Sequence, residues 1–269
     1  MTFDEEYFNI GRLDRLSYQD TMIHHLDPRA KLIATMLFLF TVVSFPKYEV
    51  VALVPFFLFP ALLMTLGDIP VLFILKKLLI VSPFAVFIGI LNPFLETRTI
   101  AVIAGVSVSA GWASFLSILL KFTLTVSTAL LLIATTSFPG MCHALRRLGV
   151  PPLFISQLLF LYRYLFVLME EAMRIVRARD MRSFGKRGTG GKVFVRLIGT
   201  LFVRTVERAE RIYNAMLSRG FRGDIPSLRR SSLAFSDLVF VASTAAFLVV
   251  FRLFQVTQGI GGLAQELFR

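Results

Sequence analysis

The order of apolar and polar stretches along the chain predicts a bundle of membrane-spanning helices interrupted by one long polar block. The runs predicted to span a membrane are 30–45, 50–66, 69–91, 111–138 and 233–254. A perpendicular span needs about 20 residues, so the first two runs need flanking residues to complete them. The pattern therefore predicts an all-α polytopic membrane protein with about five transmembrane helices and one inserted polar domain.

Positive charges near the predicted spans indicate which ends face the cytoplasm. Arg29 and Lys31 flank the first span and Lys76-Lys77 lie near the start of the third, and positive loops resist translocation. The N-terminus is therefore expected inside. The predicted segments are a cytoplasmic N-terminal segment (1–27), spans one to four (28–138), a cytoplasmic domain (139–230), a last span (231–257) and a C-terminal tail (258–269).

Two local signals refine the first half of the chain. Asp27 followed by Pro28 is a typical helix start, with aspartate at the N-cap and proline at the first helical position. Residues 99–110 (TIAVIAGVSVSA) place β-branched and small residues around Gly105. That composition predicts a small external β-hairpin rather than a helix.

The inserted block contains two long helical patterns, at 152–184 and 192–219. Glycine-rich residues 186–191 separate them, and Gly-Asp-Ile-Pro at 223–226 follows the second as a stop signal. Residues 153–169 are apolar on nearly every face and form an alternative sixth span. Because Arg163 in mid-helix costs about 2.5–3.5 kcal/mol on membrane insertion, burial against other helices is the favoured interpretation.

Composition supports the membrane assignment, and the charge distribution identifies the block as a docking module. The chain is 56% hydrophobic and 17% charged, and its formal net charge is +12. Residues 139–230 hold 18 of the basic and 6 of the acidic residues, so they carry all of the net charge. Nucleic-acid binders do not usually place a basic stripe between apolar spans, so no nucleic-acid partner is expected.

Two short arginine motifs lie at the ends of the two predicted helices of the block. They are Ala178-Arg179-Asp180 and Ser218-Arg219-Gly220. A cation at a helix C-terminus is stabilised by the macrodipole, so two ordinary helix-end arginines are the simpler interpretation. The small neighbours favour a second one, in which each guanidinium enters a groove and pairs with a carboxylate.

Other polar residues give weaker signals. Lys121 lies inside the fourth span, where a cation normally has a partner, and Asp237 in the last span is the candidate partner. The histidines and Cys142 do not occur at metal-ligand spacing (His24, His25, His143), so no metal site is expected. The chain has no phosphate-binding GxxxxGK[ST] loop and no nucleophile–base set, so it is not expected to be an enzyme.

Four segments carry a resemblance to a known family. They are LDPRAKL (26–32), TTSFPGMCHALRRLGVP (135–151), YRYLFVLMEEAMRI (162–175) and ERAERIYNAMLSRGF (207–221). Together they resemble the transmembrane T component of energy-coupling factor (ECF) transporters, most closely the CbiQ-type subunit of cobalt and nickel importers. In that family two X-Arg-X motifs end two coupling helices and dock on a pair of ABC-type ATPases. The resemblance places these motifs at Arg179 and Arg219, with Asp180 a departure from the residue often found there.

The resemblance implies an L-shaped protein whose coupling helices lie beneath the membrane. Its function would be to transmit ATP-driven motion from two ATPases to a substrate-binding membrane subunit of the metal type. ATP would be bound by the partner subunits, and no cofactor is expected in this chain. The expected location is the cytoplasmic (inner) membrane of a prokaryote, with membrane lipid as a further contact.

Two alternatives stay open. A shared T component serving vitamin-binding subunits would have the same architecture, and the transported substrate cannot be read from this chain. A stand-alone channel or carrier should place ionisable residues near the midplane in broken helices, and Lys121 is the one candidate for such a residue.

Overall fold

The structure is a computed structural model that describes residues 16–95, 99–103, 106–182, 190–225 and 234–253. The predicted turn at 186–189 and the predicted tail at 258–269 lie outside these residues. In chain order the elements are α1 (Met22–His25), α2 (Pro28–Val43), a 3₁₀ segment (Val51–Phe57), α3 (Leu58–Leu66), α4 (Val71–Gly89), α5 (Asn92–Leu95), β1 (Thr99–Ile103), β2 (Val106–Ser109), α6 (Ala110–Thr135), α7 (Phe138–Arg147), α8 (Pro152–Arg182), α9 (Gly191–Ser218) and α10 (Phe235–Leu253).

The local signals in the first half of the chain act as predicted. The side chain of Asp27 accepts a hydrogen bond from the backbone N–H of Arg29 at 2.9 Å, and Pro28 is the first residue of α2. The hairpin predicted near 99–110 is present as an antiparallel pair in which Ile103 faces Val106. The register shifts between Thr99 and Ala101.

The elements form two compact units. The bundle unit contains α1 to α6, the hairpin and α10, and the insert unit contains α7, α8 and α9. A cluster of buried side chains with little or no exposed surface forms the core of the bundle unit (Phe38, Val42, Leu53, Phe56, Leu124, Leu131). Phe38 stacks on Phe59 with ring centroids 4.6 Å apart, a geometry that adds to the burial of apolar area.

Four helical stretches are long and apolar enough to cross a membrane. They are Val71–Phe94, Ala110–Thr135, Pro152–Arg182 and Phe235–Leu253. The first, second and fourth coincide with predicted spans. α2 has 16 residues, and Val51–Leu66 is a shorter apolar helix whose first turns are 3₁₀ around Pro55. The chain is thus an all-α polytopic membrane protein with one small hairpin.

Helix α8 differs from its prediction in how much of it is covered. Residues 153–169 were expected to be buried against other helices, yet within the described chain only Ile155 and Ser156 of α8 are buried. Leu153, Phe154 and Leu161 are each about 60% exposed. Within the described chain α7 and α9 both contact α8, and the side of α8 that carries Leu153, Phe154 and Leu161 stays exposed. Length and composition also leave α8 as a candidate span, the alternative noted above.

Candidate functional site

The second arginine motif lies in a glycine-dependent helix ending. Gly220 has a φ of +80°, and its N–H donates to the carbonyl of Leu217 at 2.9 Å. The N–H of Phe221 donates to the carbonyl of Met216 at 3.0 Å. These two bonds form a Schellman motif, which terminates a helix through a left-handed residue. Arg219 is therefore the C-cap of α9, and its side chain is exposed.

Contacts on both sides hold this helix ending in place. The ring of Phe221 packs edge-on against Phe160 of α8, with centroids 6.0 Å apart. Beyond it, the buried hydroxyl of Ser156 donates to the carbonyl of Gly223 at 3.1 Å. Arg146 of α7 donates to the Asp224 carboxylate at 2.7 Å and to a backbone carbonyl at residue 225 at 3.0 Å. Arg219 thus extends from a backbone that is fixed to both α7 and α8.

The first motif has a different environment. Arg179 lies in the last turn of α8, and its guanidinium donates to the neighbouring Asp180 carboxylate at 3.1 Å. The Arg179 side chain is 19% exposed, whereas that of Asp180 is 59% exposed. The groove-docking interpretation of the sequence has a sterically free guanidinium at both motifs; the Arg219 side chain is exposed, whereas the Arg179 guanidinium is paired with its neighbour. The partner carboxylate belongs to Asp180, the residue that departs from the pattern of the resembling family.

The two motifs lie at opposite ends of an antiparallel helix pair. Phe160, near the start of α8, packs beside the end of α9, and Glu171 pairs with Arg204 at 3.0 Å. Sequence numbers thus rise along α8 as they fall along α9. Arg179 is 19 residues beyond Phe160, which at 1.5 Å per residue separates the two motifs by about 28 Å along the pair. The two motif arginines, Arg179 and Arg219, therefore lie far apart on the insert unit and do not form one basic patch.

Lys121 and Asp237, expected as partners within the membrane, are not brought together. The Lys121 ammonium donates to the carbonyl of Phe45, just past the end of α2, at 2.6 Å. Asp237 is 3% exposed and accepts from the backbone N–H groups of Asp27 and Ala234, each at 2.8 Å. These contacts lie at opposite ends of α2, about 24 Å apart for 16 residues. Backbone groups at the two helix ends satisfy the two charges separately.

Lys31 and Arg252 are polar anchors whose contacts were not foreseen. Lys31, expected as a flanking cytoplasmic charge, is 4% exposed and donates to the carbonyl of Thr135 in α6 at 2.8 Å. Arg252 donates to the Ser44 hydroxyl at 3.1 Å and lies over the Phe45 ring at 5.2 Å. In the sequence each of these residues is recognisable as a single charge in or beside an apolar run. The sequence does not reveal their contacts, because the partner residues lie far along the chain.

The described residues contain no group of three His, Cys, Asp or Glu side chains able to hold a metal ion. His24 lies with Nδ1 2.6 Å from the Thr21 hydroxyl and Nε2 3.4 Å from the carbonyl of Ala134. Burial lowers the pKa of His24 below 6.5, and the nearby Lys31 lowers it further. Burial also raises the pKa of the Cys142 thiol. Both side chains therefore favour their neutral forms at pH 7.

Comparison with known proteins connects this arrangement to transport. The family model CbiQ, described as a cobalt transport protein, matches residues 19–231. An energy-coupling factor transporter transmembrane protein EcfT of Ruminiclostridium cellulolyticum is 27% identical over 85% of this chain and 91% of its own length. The EcfT of Staphylococcus aureus is 28% identical over 77% and 82%. The cobalt transport protein CbiQ of Salmonella typhimurium is 30% identical over 37% and 44%.

Proposed function

The chain belongs to the CbiQ family of cobalt transport proteins, and we propose that it is the transmembrane coupling subunit of an ECF-type importer. In this proposal it transmits ATP-driven motion from two cytoplasmic ATPases to a substrate-binding membrane subunit. ATP binding and hydrolysis would belong to the ATPases, and the membrane would be the prokaryotic inner membrane. The insert unit and the N-terminus would face the cytoplasm, where positive segments are retained.

The observation that supports this function best is the placement of Arg179 and Arg219 at the two ends of one helix pair. A subunit driven by two separate ATPases needs two attachment points far enough apart for each to contact its own protein. A separation of about 28 Å along the pair meets that need. A guanidinium can pair bidentately with a carboxylate, and such pairs fix register and association rate more than affinity.

The arginine motifs allow a direct test of coupling. We expect Arg179→Glu and Arg219→Glu each to abolish ATP-dependent uptake, because reversal places a carboxylate against a carboxylate. Losing one partner of a buried charge pair costs about 2–5 kcal/mol. Arg219→Lys should retain part of the activity, because a point charge loses the bidentate fork. The measurement is substrate uptake by vesicles containing the complete transporter, with ATPase copurification in parallel.

Arg196→Glu is the matched control, since it reverses one charge on α9 at an exposed side chain away from both motifs. It should transport normally. Full uptake by either motif variant, with normal ATPase copurification, would contradict the coupling role. Uptake that persists without any ATPase would instead favour a stand-alone carrier.

We propose cobalt as the imported substrate, on the description of the family, or nickel, which the resemblance to importer subunits also implies. One observation supports the alternative of a shared subunit for vitamin import: several relatives named EcfT are matched over most of their length, whereas the CbiQ of Salmonella typhimurium is matched over 44%. Copurification of the native complex distinguishes the two. A single metal-type membrane subunit supports the dedicated importer, and several exchanging subunits support the shared one.

A further inference from the structure

Three helix ends of the bundle unit meet around one short segment, residues 24–31. This segment contains the start of α2, and two charged side chains connect it to the last turn of α6 and to the first turn of α10. The helices of the insert unit lie between α6 and α10 in the chain. The same two turns are therefore the ones nearest in sequence to the insert unit. Residues 24–31 together with Asp237 are called the junction cluster below.

Lys31 connects the junction cluster to the end of α6. It is almost fully buried, and its ammonium donates to the carbonyl of Thr135 at 2.8 Å and to the carbonyl of His24 at 3.2 Å. Thr135 is the last residue of α6, so its carbonyl has no partner within the helix. The His24 ring lies beside it, with Nε2 3.4 Å from the carbonyl of Ala134. The ammonium thus lies at the negative end of α6, where the macrodipole stabilises a cation.

Asp237 connects the start of α2 to the start of α10. It lies in the first turn of α10 and is almost fully buried. One of its carboxylate oxygens accepts from the N–H of Asp27, the N-cap of α2, and the other accepts from the N–H of Ala234, each at 2.8 Å. The first N–H groups of a helix have no acceptor within it, and the macrodipole favours an anion there. Each of the three helix ends therefore meets a charge of the sign that stabilises it.

The chemistry of these contacts suits a role in positioning more than in stability. Removal of a charge from water costs free energy, and well-packed apolar residues of similar volume often stabilise a protein equally well. A hydrogen bond adds direction, because it fixes one side-chain atom against one backbone atom. Lys121 makes a contact of the same kind with the carbonyl of Phe45 at 2.6 Å, but at the opposite end of α2.

We propose that the junction cluster transfers movement of the insert unit to the transmembrane helices, with Lys31 and Asp237 as its positioning residues. Because these side chains fix the end of α6 and the start of α10 to α2, a displacement of either turn moves all three helices together. Without them, the two turns would move independently of α2. Coupling over a distance is carried by contiguous contacts of this kind. The proposal rests on the coupling function proposed above, and it names the residues through which the motion enters the membrane helices.

The amount of cobalt imported per ATP hydrolysed, measured on the complete transporter in vesicles, tests this role. Lys31→Met keeps the length of the side chain but removes the donor, and Asp237→Asn keeps the shape but removes the charge and one acceptor oxygen. For both variants we expect the ATPases to copurify and to hydrolyse ATP. Cobalt imported per ATP should fall about tenfold, within the range that mutations along a coupling path produce.

Lys121→Met is the matched control. It removes an equivalent contact between an ammonium and a backbone carbonyl in the bundle unit, at the end of α2 away from the junction cluster. Its cobalt import per ATP should equal that of the unmodified chain. Circular dichroism and gel filtration check that each variant folds, and Asp237→Asn is the milder change if Lys31→Met does not.

Hydrogen exchange of the purified full-length chain, followed by mass spectrometry, provides a readout that needs no transport. In Asp237→Asn the amide hydrogens of Asp27 and Ala234 should exchange faster, because both are bonded to the carboxylate. In Lys31→Met the amides near Thr135 should exchange faster, because the end of α6 loses its contact. In Lys121→Met any faster exchange should lie near Phe45 instead.

Normal cobalt import per ATP in Lys31→Met and Asp237→Asn, despite faster exchange at these amides, would overturn the junction role and leave the coupling function intact. An equal loss in Lys121→Met would also overturn it, because the loss would then follow from weaker helix packing anywhere in the bundle unit. If the unmodified complex shows no ATP-dependent cobalt uptake while the exchange results are as expected, the proposed importer itself is contradicted. The junction cluster would then have no movement to transfer.

Discussion

Two lysines of the bundle unit, Lys31 and Lys121, satisfy their charges in the same way although they differ in how deeply they are buried. Lys31 is 4% exposed and donates to the carbonyls of Thr135 and His24, whereas Lys121 is only partly buried and donates to the carbonyl of Phe45. In both cases the ammonium reaches backbone oxygen rather than a carboxylate. Carbonyls near a helix end are unsatisfied within their own helix, so they are suitable partners for a lone cation.

Gly220 provides a test at the residue scale, because its φ of +80° is a conformation that side chains disfavour. We expect Gly220→Ala to destabilise the insert unit by about 1–2 kcal/mol. Gly199→Ala is the control of opposite sign. Gly199 lies in mid-α9 with open space around its Cα, so alanine should be neutral or stabilise by up to about 1 kcal/mol.

The measurement is the thermal unfolding midpoint of each purified variant in the same detergent. A lower midpoint for Gly220→Ala with an unchanged or higher one for Gly199→Ala fits the Schellman ending. Equal changes in the unfolding midpoint for the two variants would show that a side chain at position 220 does not strain the helix ending. Copurification of the ATPases with the Gly220→Ala variant then shows whether docking through Arg219 depends on the backbone conformation of this helix ending.

At the scale of elements, the contact of α4 with α6 depends on a missing side chain. A Cβ atom on Gly89 would lie 2.7 Å from the ring of Phe115, closer than packed carbon atoms approach. Beside it, Asn92 donates to the Ser114 hydroxyl at 3.3 Å. Small residues at helix contacts allow the close backbone approach on which membrane helices depend for association.

We therefore expect Gly89→Ala to destabilise the bundle unit by about 1–3 kcal/mol through overpacking. Phe115→Leu should partly reverse this loss in the double variant, since it removes the ring that a new Cβ would meet. A double-mutant cycle on thermal unfolding measures the coupling. Purely additive effects would mean that the two positions do not press on each other.

At the scale of the whole molecule, orientation in the membrane is the prediction with most consequence. Single cysteines replace Thr99, Thr189 and Gln265 in a Cys142→Ser background, and intact cells are treated with an impermeant thiol reagent. We expect labelling at 99 and 265 from outside, and at 189 only after permeabilisation, because the basic block resists translocation. Cys142 itself is 2% exposed with a raised pKa, so its replacement removes little background.

Labelling of Thr189→Cys in intact cells would place residue 189 outside and would contradict the topology. It would also favour α8 as a sixth span, since the chain would then cross the membrane between 138 and 189. If residue 189 is not labelled even in permeabilised cells, the cysteine is buried and the experiment does not report its side of the membrane. A reagent with a longer linker then distinguishes a buried cysteine from an unlabelled exposed one.

Local chemistry made much of the fold predictable from the sequence. The start of α2 at Asp27-Pro28, the hairpin and the two long helices of the insert unit depend on residues within a few positions of one another. The contacts of Lys121 with Phe45 and of Lys31 with Thr135 join residues 76 and 104 positions apart, and no local pattern encodes them. The Arg179–Asp180 ion pair could have been predicted from the sequence, because the two opposite charges are adjacent in the motif.

The antiparallel course of α8 and α9 has a consequence for symmetry. Two helices that run in opposite directions are related by an approximate two-fold rotation, and each of them carries its arginine motif in its own last turn or cap. One asymmetric chain thereby offers two similar ends to its surroundings, each at the negative end of a helix macrodipole. A partner pair with its own two-fold axis can therefore be matched by a single copy of this protein, without duplication of the chain.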